Sequence, residues 1–375
     1  MRIGIVCYPT FGGSGVVATE LGLEMAKLGH EVHFITYSRP VRLDDDAENI
    51  FYHEVVMADY PLFDYSPYEL VLTSKLVSVV KERKLDILHV HYAIPHASAA
   101  YMAKKILQEE DGINLPIICT LHGTDITLLG RDASFEPVIT FAINKSDGVT
   151  AVSESLRKDT FDHFNIKRSI DVIPNFINLS RYEGLQPNEM RKKYAPNGQP
   201  LIMHMSNFRK VKRVPDVVKV FAEIRKEIPA SLLLVGDGPE RYNVEQLCRK
   251  LDICGHIHFL GKAKKVEQVL ANGDLFILPS QTESFGLAAL EAMAAGLPVI
   301  SSNSGGLPEV NKHGYSGYLS DVGDVKDMAA NALRLLKDHQ ELLRFKEQAK
   351  EQAKEFTLPK VLPLYLNLYE RLNQG

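Results

Sequence analysis

Residues 3–37, IGIVCYPTFGGSGVVATELGLEMAKLGHEVHFITY, decide how this chain folds. The run IGIVCY (3–8) is short, continuous and apolar, the mark of a strand buried in a parallel sheet. A glycine loop, TFGGSG (10–15), follows. A helical spacing of Val17, Leu21, Met25 and Leu28 then stops at Gly29. Residues 31–37 (EVHFITY) read as the next strand. Strand, loop, helix and strand in that order make a βαβ unit, whose crossover is right-handed.

The alternation continues outward. Further strands are expected at 86–91 (DILHVH), 116–121 (PIICTL), 148–152 (GVTAV) and 170–173 (IDVI), with helical patterns between them. The pattern restarts with a strand at 200–205 (PLIMHM), an amphipathic helix at 215–228 and a strand at 231–236 (SLLLVG). Strands at 257–260, 274–278 and 297–301 follow, each after a helix-like stretch. Two such runs predict an α/β protein of two doubly wound, Rossmann-like domains, as a length of 375 residues also suggests. The polar stretch 180–200, with Gly184, Pro187, Pro196, Gly198 and Pro200, reads as the linker. Domains of 1–178 and 179–357 result. A charged helix over 324–356 is expected to open on Asp324 as its cap and to be broken by Thr357-Leu358-Pro359. A last helix then carries Leu362, Tyr365, Leu366, Tyr369 and Leu372.

Composition narrows the function. Hydrophobic residues at 45% and charged residues at 24% are ordinary for a globular protein. A net charge of -4 with a pI near 6.4 argues against a nucleic-acid partner. Six apolar-leaning residues before Pro9 are too few for a signal-peptide core, and no stretch is long and apolar enough to span a bilayer. A cytoplasmic protein without stable membrane insertion is expected. Cys7 and Cys119 lie in apolar runs and read as buried free thiols, while Cys248 and Cys254 form neither a CxxC pair nor a metal-ligand spacing.

Gly13, Gly15 and Ala18 satisfy G-x-G-x-x-A after a strand and at a helix start, which aims backbone N–H groups and the helix dipole at an anion. A tight turn without a ligand is the plainer alternative. A dinucleotide site wants an acid near the end of the second strand, but that strand ends Tyr37-Ser38-Arg39. Ser-Arg suits a 2′-phosphate, so an NADP-dependent Rossmann oxidoreductase stays open at this point.

The second half is more informative. Ser206-Asn207-Phe208-Arg209-Lys210-Val211-Lys212-Arg213 sets four cations within five residues at the carboxyl end of a domain's first strand, where such sheets bind ligands. Arg forks onto phosphate oxygens and Lys supplies a point charge, although a solvated loop would look alike. Glu283 and Glu291 follow the strand at 274–278 within ESFGLAALE, one before and one inside a helix that starts near Phe285-Gly286. Carboxylates so placed suit sugar hydroxyls, and an acid inside LAALEAMAAG is expensive to bury without a partner. Asp44-Asp45-Asp46 is read as a solvated loop rather than a metal-binding Asp-x-Asp pair. His89 and His91 share one face of a strand and, with His96, are read as core or wall histidines rather than ligands.

Together these segments resemble retaining glycosyltransferases of family 4. The likeness is carried by Pro279–Glu309 with its two glutamates, AAGLPVI and GGLPE, and by GGSG, His122-Gly-Thr-Asp125, AVSES (151–155), IPNFIN (173–178) and VGDGPE (235–240). The resemblance implies a GT-B fold, two Rossmann-like domains facing each other across a cleft, with the terminal helix, 358–375, crossing back to the first. It implies that Arg209 and Lys212 hold the donor diphosphate. Arg213 is an alternative, because the family's usual Gly-Arg opening is Asn207-Phe208 here. Glu291 would bind the ribose and Glu283 the transferred sugar. Phe285, Gly286, Leu287, Asn207, Gly13, Ser14 and Gly15 would line the donor. His122 would face sugar and acceptor, with Ser14, Tyr92 and Thr120 also on the acceptor side. YPTFGGSGVVATELG, HVHYAIPHA, TLHGTDITLLG and SNFRKVKRV as a set imply UDP-N-acetylglucosamine as donor and L-malate as acceptor, in bacillithiol biosynthesis. Another small acceptor stays open. No metal or other cofactor is implied, and a homo-oligomer is left open. A noncatalytic two-lobed sugar-binding protein would normally carry an export signal.

Overall fold

The computed structural model describes residues 1–10, 13–43, 47–57, 67–128, 130 and 132–373. Asp44, Asp45 and Asp46 lie outside them, as do Phe11 and Gly12 of the glycine loop. The chain forms two compact units, Met1–Asn175 with Leu358–Gly375, and Phe176–Thr357.

The first unit holds β1 (Arg2–Val6), β2 (Glu31–Thr36), β3 (Ile50–Glu54), β4 (Ile87–His91), β5 (Ile117–Leu121), β6 (Gly148–Ala151) and β7 (Asp171–Val172). Their order is β3-β2-β1-β4-β5-β6-β7, and every neighbouring pair is parallel. Helix Ser14–Lys27 packs closely on this sheet because Gly22 has no side chain: a Cβ there would stand 2.5 Å from Phe34 and 2.9 Å from Ile5. Leu28, the last member of the apolar spacing, lies past the helix and is exposed, and Gly29 turns the chain with φ 84°. The final helix, Leu358–Asn373, belongs to this unit. It buries Val361, Tyr365, Leu368 and Tyr369, and Gly148 of β6 gives Leu368 and Leu372 room to lie over the sheet.

The second unit holds β8 (Leu201–Met205), β9 (Ser231–Val235), β10 (Ile257–Gly261), β11 (Leu275–Leu278), β12 (Val299–Ser302) and β13 (Gly317–Ser320), ordered β10-β9-β8-β11-β12-β13 and parallel throughout. Helix Val214–Arg225 buries Val214, Val217, Val218, Phe221 and Ile224, the 3.6-residue stripe that an amphipathic helix turns to a sheet. In both sheets the strand order reverses beside the first strand, at β1/β4 and at β8/β11. Ligands of such sheets bind beyond the carboxyl ends of the strands at that point.

Two strands escape sequence reading. β3 has only half-exposed and exposed positions instead of a buried apolar run, and β13 is four residues long and begins with glycine. The charged stretch 324–356 is two helices, Val325–Lys337 and His339–Ala353. Asp324 caps the first as expected, but Asp338 stops it by taking extended backbone and accepting from the N–H groups of Gln340 and Glu341. Within 180–200, helix Glu189–Tyr194 is tied to the second sheet by Arg191, whose guanidinium donates to the Asn272 carbonyl at 2.9 Å and pairs with Asp274. Cys7 and Cys119 are buried free thiols, and burial pushes the Cys7 thiol up to about 12. Cys248 and Cys254 are joined in a disulfide that the spacing does not announce.

Candidate active site

In the second unit β8 ends at Met205 and the basic loop begins. Phe208 is fully buried at φ 40° and anchors the loop in the core. The motif VGDGPE lies against it: a Cβ at Gly236 would stand 1.8 Å from the Ser206 carbonyl oxygen, and one at Gly238 2.1 Å from that of Asn207. The Glu240 N–H donates to the Phe208 carbonyl at 2.9 Å. These contacts leave Asn207 and Arg209 exposed, and Arg209 makes no ion pair among the described residues. Lys212 donates to Glu283 Oε1 at 2.6 Å. Arg213 turns back instead. Its Nε donates to Asp216 at 2.6 Å in the first turn of helix Val214–Arg225. Lys212 and Arg213 are thus each engaged by an acid, Arg213 within its own helix start, while Arg209 stays exposed.

Beyond β11 the loop Pro279–Gly286 meets the basic loop. The Gln281 N–H donates to the Val211 carbonyl at 2.8 Å, and Glu283 also accepts from Ser280 Oγ at 2.8 Å. The GGLPE glycines explain themselves here. A Cβ at Gly305 would fall 2.1 Å from the Glu283 carbonyl oxygen, and the Gly306 N–H donates to that oxygen at 2.8 Å. Gly286, at φ 100°, heads helix Leu287–Ala294. Its N-cap glycine has no side chain to cap it and its first turn holds no acid, so no carboxylate of that turn offsets the positive end of the helix. Phe285 is buried and packs edge-on against Phe356, with ring centroids 5.5 Å apart. Glu291, just over one turn in, is half-buried rather than enclosed. Below, burial holds His204 down to about 4, with Lys212 acting in the same direction, so this ring adds no charge at neutral pH.

The corresponding place in the first unit is built from the loops after β1, β4 and β5. Gly13 stands at φ 64°, and Gly15 passes so close to the strand exit that a Cβ would lie 2.2 Å from the Tyr8 carbonyl oxygen. Ser14 Oγ lies 2.7 Å from the Tyr92 hydroxyl. Tyr92 stands at φ 83° and packs beside His122, whose Nε2 lies 2.8 Å from His91 Nδ1. Gly13, Ser14, Gly15, Tyr92 and His122 thus gather at the β1/β4 switch point.

Thr120 does not join them. It is fully buried, and its hydroxyl is shared between His89 Nε2 and Thr150 Oγ1, each at 2.7 Å. Inside its strand the side chain is turned into the core, away from the residues gathered at the switch point. His89 takes Tyr369 of the final helix as its other partner, at 2.6 Å, and His96 Nδ1 donates to the His91 carbonyl. These histidines are wall groups. Among the described residues no three His, Cys, Asp or Glu side chains are grouped to hold a metal.

Sequence reasoning missed Asp125 as a site residue. Fully buried, its two oxygens accept from the Ala93 N–H at 2.8 Å and the Gly123 N–H at 3.1 Å, locking the loops after β4 and β5 together. Burial raises its carboxyl to about 6 against the pull of those N–H groups. Its only sequence signal is its place in His122-Gly-Thr-Asp125.

Residues 11–181 match the family described as Glycosyltransferase Family 4, and residues 186–352 match Glycosyl transferases group 1. The chain is 48% identical over 351 residues to the N-acetyl-alpha-D-glucosaminyl L-malate synthase of Bacillus anthracis, covering 93% of this chain and 91% of that one. Among solved structures, Anabaena HepE in complex with UDP and glucose superposes with a TM-score of 0.83 at 18% identity, over 99% of this chain and 100% of the other. Sucrose-phosphate synthase from Thermosynechococcus elongatus gives 0.79 at 20% identity, over 99% of both. At these identities the two structures bear on the fold alone.

Proposed function

This chain belongs to the family 4 glycosyltransferases, and from that premise we propose that it moves N-acetylglucosamine from UDP-N-acetylglucosamine to the hydroxyl of L-malate, the opening step of bacillithiol biosynthesis. One observation carries the choice of sugar and acceptor: the Bacillus anthracis relative, named for that product, is similar along nearly all of both chains. An NADP-dependent oxidoreductase is set aside by the family, and it would leave the second unit's cations and glutamates without a task.

The second unit binds the donor in this reading. Arg209 and Lys212 take the diphosphate, with the backbone of Phe285, Gly286 and Leu287 at the uncapped helix end. Glu291 takes the ribose hydroxyls and Glu283 the sugar. As the bond from the anomeric carbon to the phosphate oxygen breaks, its electron pair stays on the diphosphate, where charge grows. A unit charge about 4 Å away offers roughly 4 kcal/mol at an effective dielectric near 20, so two cations and a helix end fill a metal's place. The malate oxygen bonds to the anomeric carbon on the face that the leaving group quits, and its proton passes to the departing phosphate oxygen. Configuration is retained. Ser14, Tyr92, His122 and the N–H groups near Gly13 and Gly15 supply donors for the two malate carboxylates.

Release of UDP by the purified protein tests this reading. UDP-N-acetylglucosamine with L-malate is expected to outpace other donors and other small hydroxy acids, with a glycosidic product that keeps the α configuration. A donor preference for another sugar, or no acceleration by malate over water, would overturn it.

A further inference from the structure

His91 and His122 share one hydrogen bond, 2.8 Å between His91 Nδ1 and His122 Nε2, with their rings 22° from parallel. Burial depresses both, His122 to about 3 and His91 well below the ordinary range, and the neighbouring histidines push the same way. Both rings are therefore neutral, and each carries one N–H. Either nitrogen of the pair could hold the shared proton.

The other nitrogen of His91 decides. His91 Nε2 is buried with no partner among the described residues. The His89 ring stacks on His91 at 4.5 Å, but Tyr369 and Thr120 already engage its nitrogens. A proton on His91 Nε2 would be an orphaned donor in the core, whereas a proton on Nδ1 leaves only an unfilled lone pair. Orphaned buried N–H groups are rarer than under-satisfied acceptors, and leaving one costs its full desolvation.

We infer that His91 donates from Nδ1 to His122 Nε2, which holds His122 as its Nδ1–H tautomer and makes the outer nitrogen of that ring a hydrogen-bond donor. His122 is half-buried, and the bond to His91 is the only hydrogen bond of its ring among the described residues. A donor there suits an oxygen, such as a carboxylate of the acceptor, and cannot take the acceptor's proton. This consequence rests on the transferase reading, while the assignment of the proton does not. His91 is on this account a positioning residue, acting through His122.

Proton–nitrogen correlation spectra of the full chain labelled at histidine, without substrate, read the tautomer directly. His122 signals, identified by their loss in His122→Asn, are expected to place the proton on Nδ1. A proton on Nε2 overturns the inference whether or not the protein transfers sugar. Kinetics add a second arm. His91→Leu removes the donor and is expected to lower kcat/KM for the acceptor about tenfold, with a smaller effect on the donor KM. His91→Asn can return an N–H to the place of Nδ1 and is expected to recover most of that loss. Equal losses in the two variants, both folded by thermal melt, overturn the inference. Should His91→Leu fail to fold, the spectra still decide.

Discussion

The Lys212 ammonium lies 2.6 Å from the Glu283 carboxylate, joining loops after two different strands of the second sheet. The cation assigned to the diphosphate and the acid assigned to the sugar are therefore one electrostatic unit. Neither is more than about a fifth exposed, so removal of one leaves a largely desolvated partner. A double-mutant cycle on kcat/KM with Lys212→Ala and Glu283→Gln is expected to show non-additivity of about 1–3 kcal/mol. Simple additivity would count against their working as a unit.

Arg209 and Arg213 should separate cleanly. Arg209→Ala is expected to cut kcat by about 10²–10³, the loss seen when one preorganised donor is deleted, with a smaller rise in donor KM. Arg209→Lys should stay impaired, since an ammonium lacks the bidentate fork. Arg213→Ala removes a partner of Asp216, so it should lower the melting temperature while leaving much of kcat. Steady-state kinetics beside thermal melts check both, and a kcat loss in Arg213→Ala as deep as in Arg209→Ala would move the phosphate contact to Arg213.

Glu291→Ala should weaken UDP binding by about 1–3 kcal/mol, measured by calorimetry, because the ribose hydroxyls lose their acceptor. Unchanged affinity in the folded variant would remove Glu291 from the nucleotide site.

Transfer is expected to survive a chelator, given that cations and a helix end are assigned the charge of the leaving group. Loss of activity in EDTA, restored by magnesium, would reassign that work to a metal.

Asp125 predicts a pH dependence. Its carboxyl titrates near 6 in the folded chain against an ordinary 3.8, so between these values the folded state keeps a proton that the unfolded state has released. Stability then falls as pH rises through that window and is flat above it, by up to about 3 kcal/mol. Asp125→Asn cannot titrate. The melting temperature of the parent relative to this variant should drop by several degrees from pH 4 to pH 6. Parallel melting curves across that range would refute a buried, titrating Asp125.

Local pattern alone determined the two α/β halves. β1 and β8 are continuous apolar runs, and the loops after them announce themselves by glycine and by clustered cations, because strand burial and turn geometry act within a few residues. Tertiary structure decided the rest. Arg213 is held by Asp216 at a helix start, a pairing that the run of four cations does not announce. Thr120 spends its hydroxyl on His89 and Thr150 because β4 and β6 flank its strand on both sides, a fact no single strand contains. The glycines of VGDGPE and GGLPE had no local reason until the loops at Ser206 and Glu283 came to lie against them. His91 sets the proton on His122 only because β4 and β5 are neighbours in the sheet. Such contacts join residues far apart in the chain, and a single sequence records the residues but not their meeting.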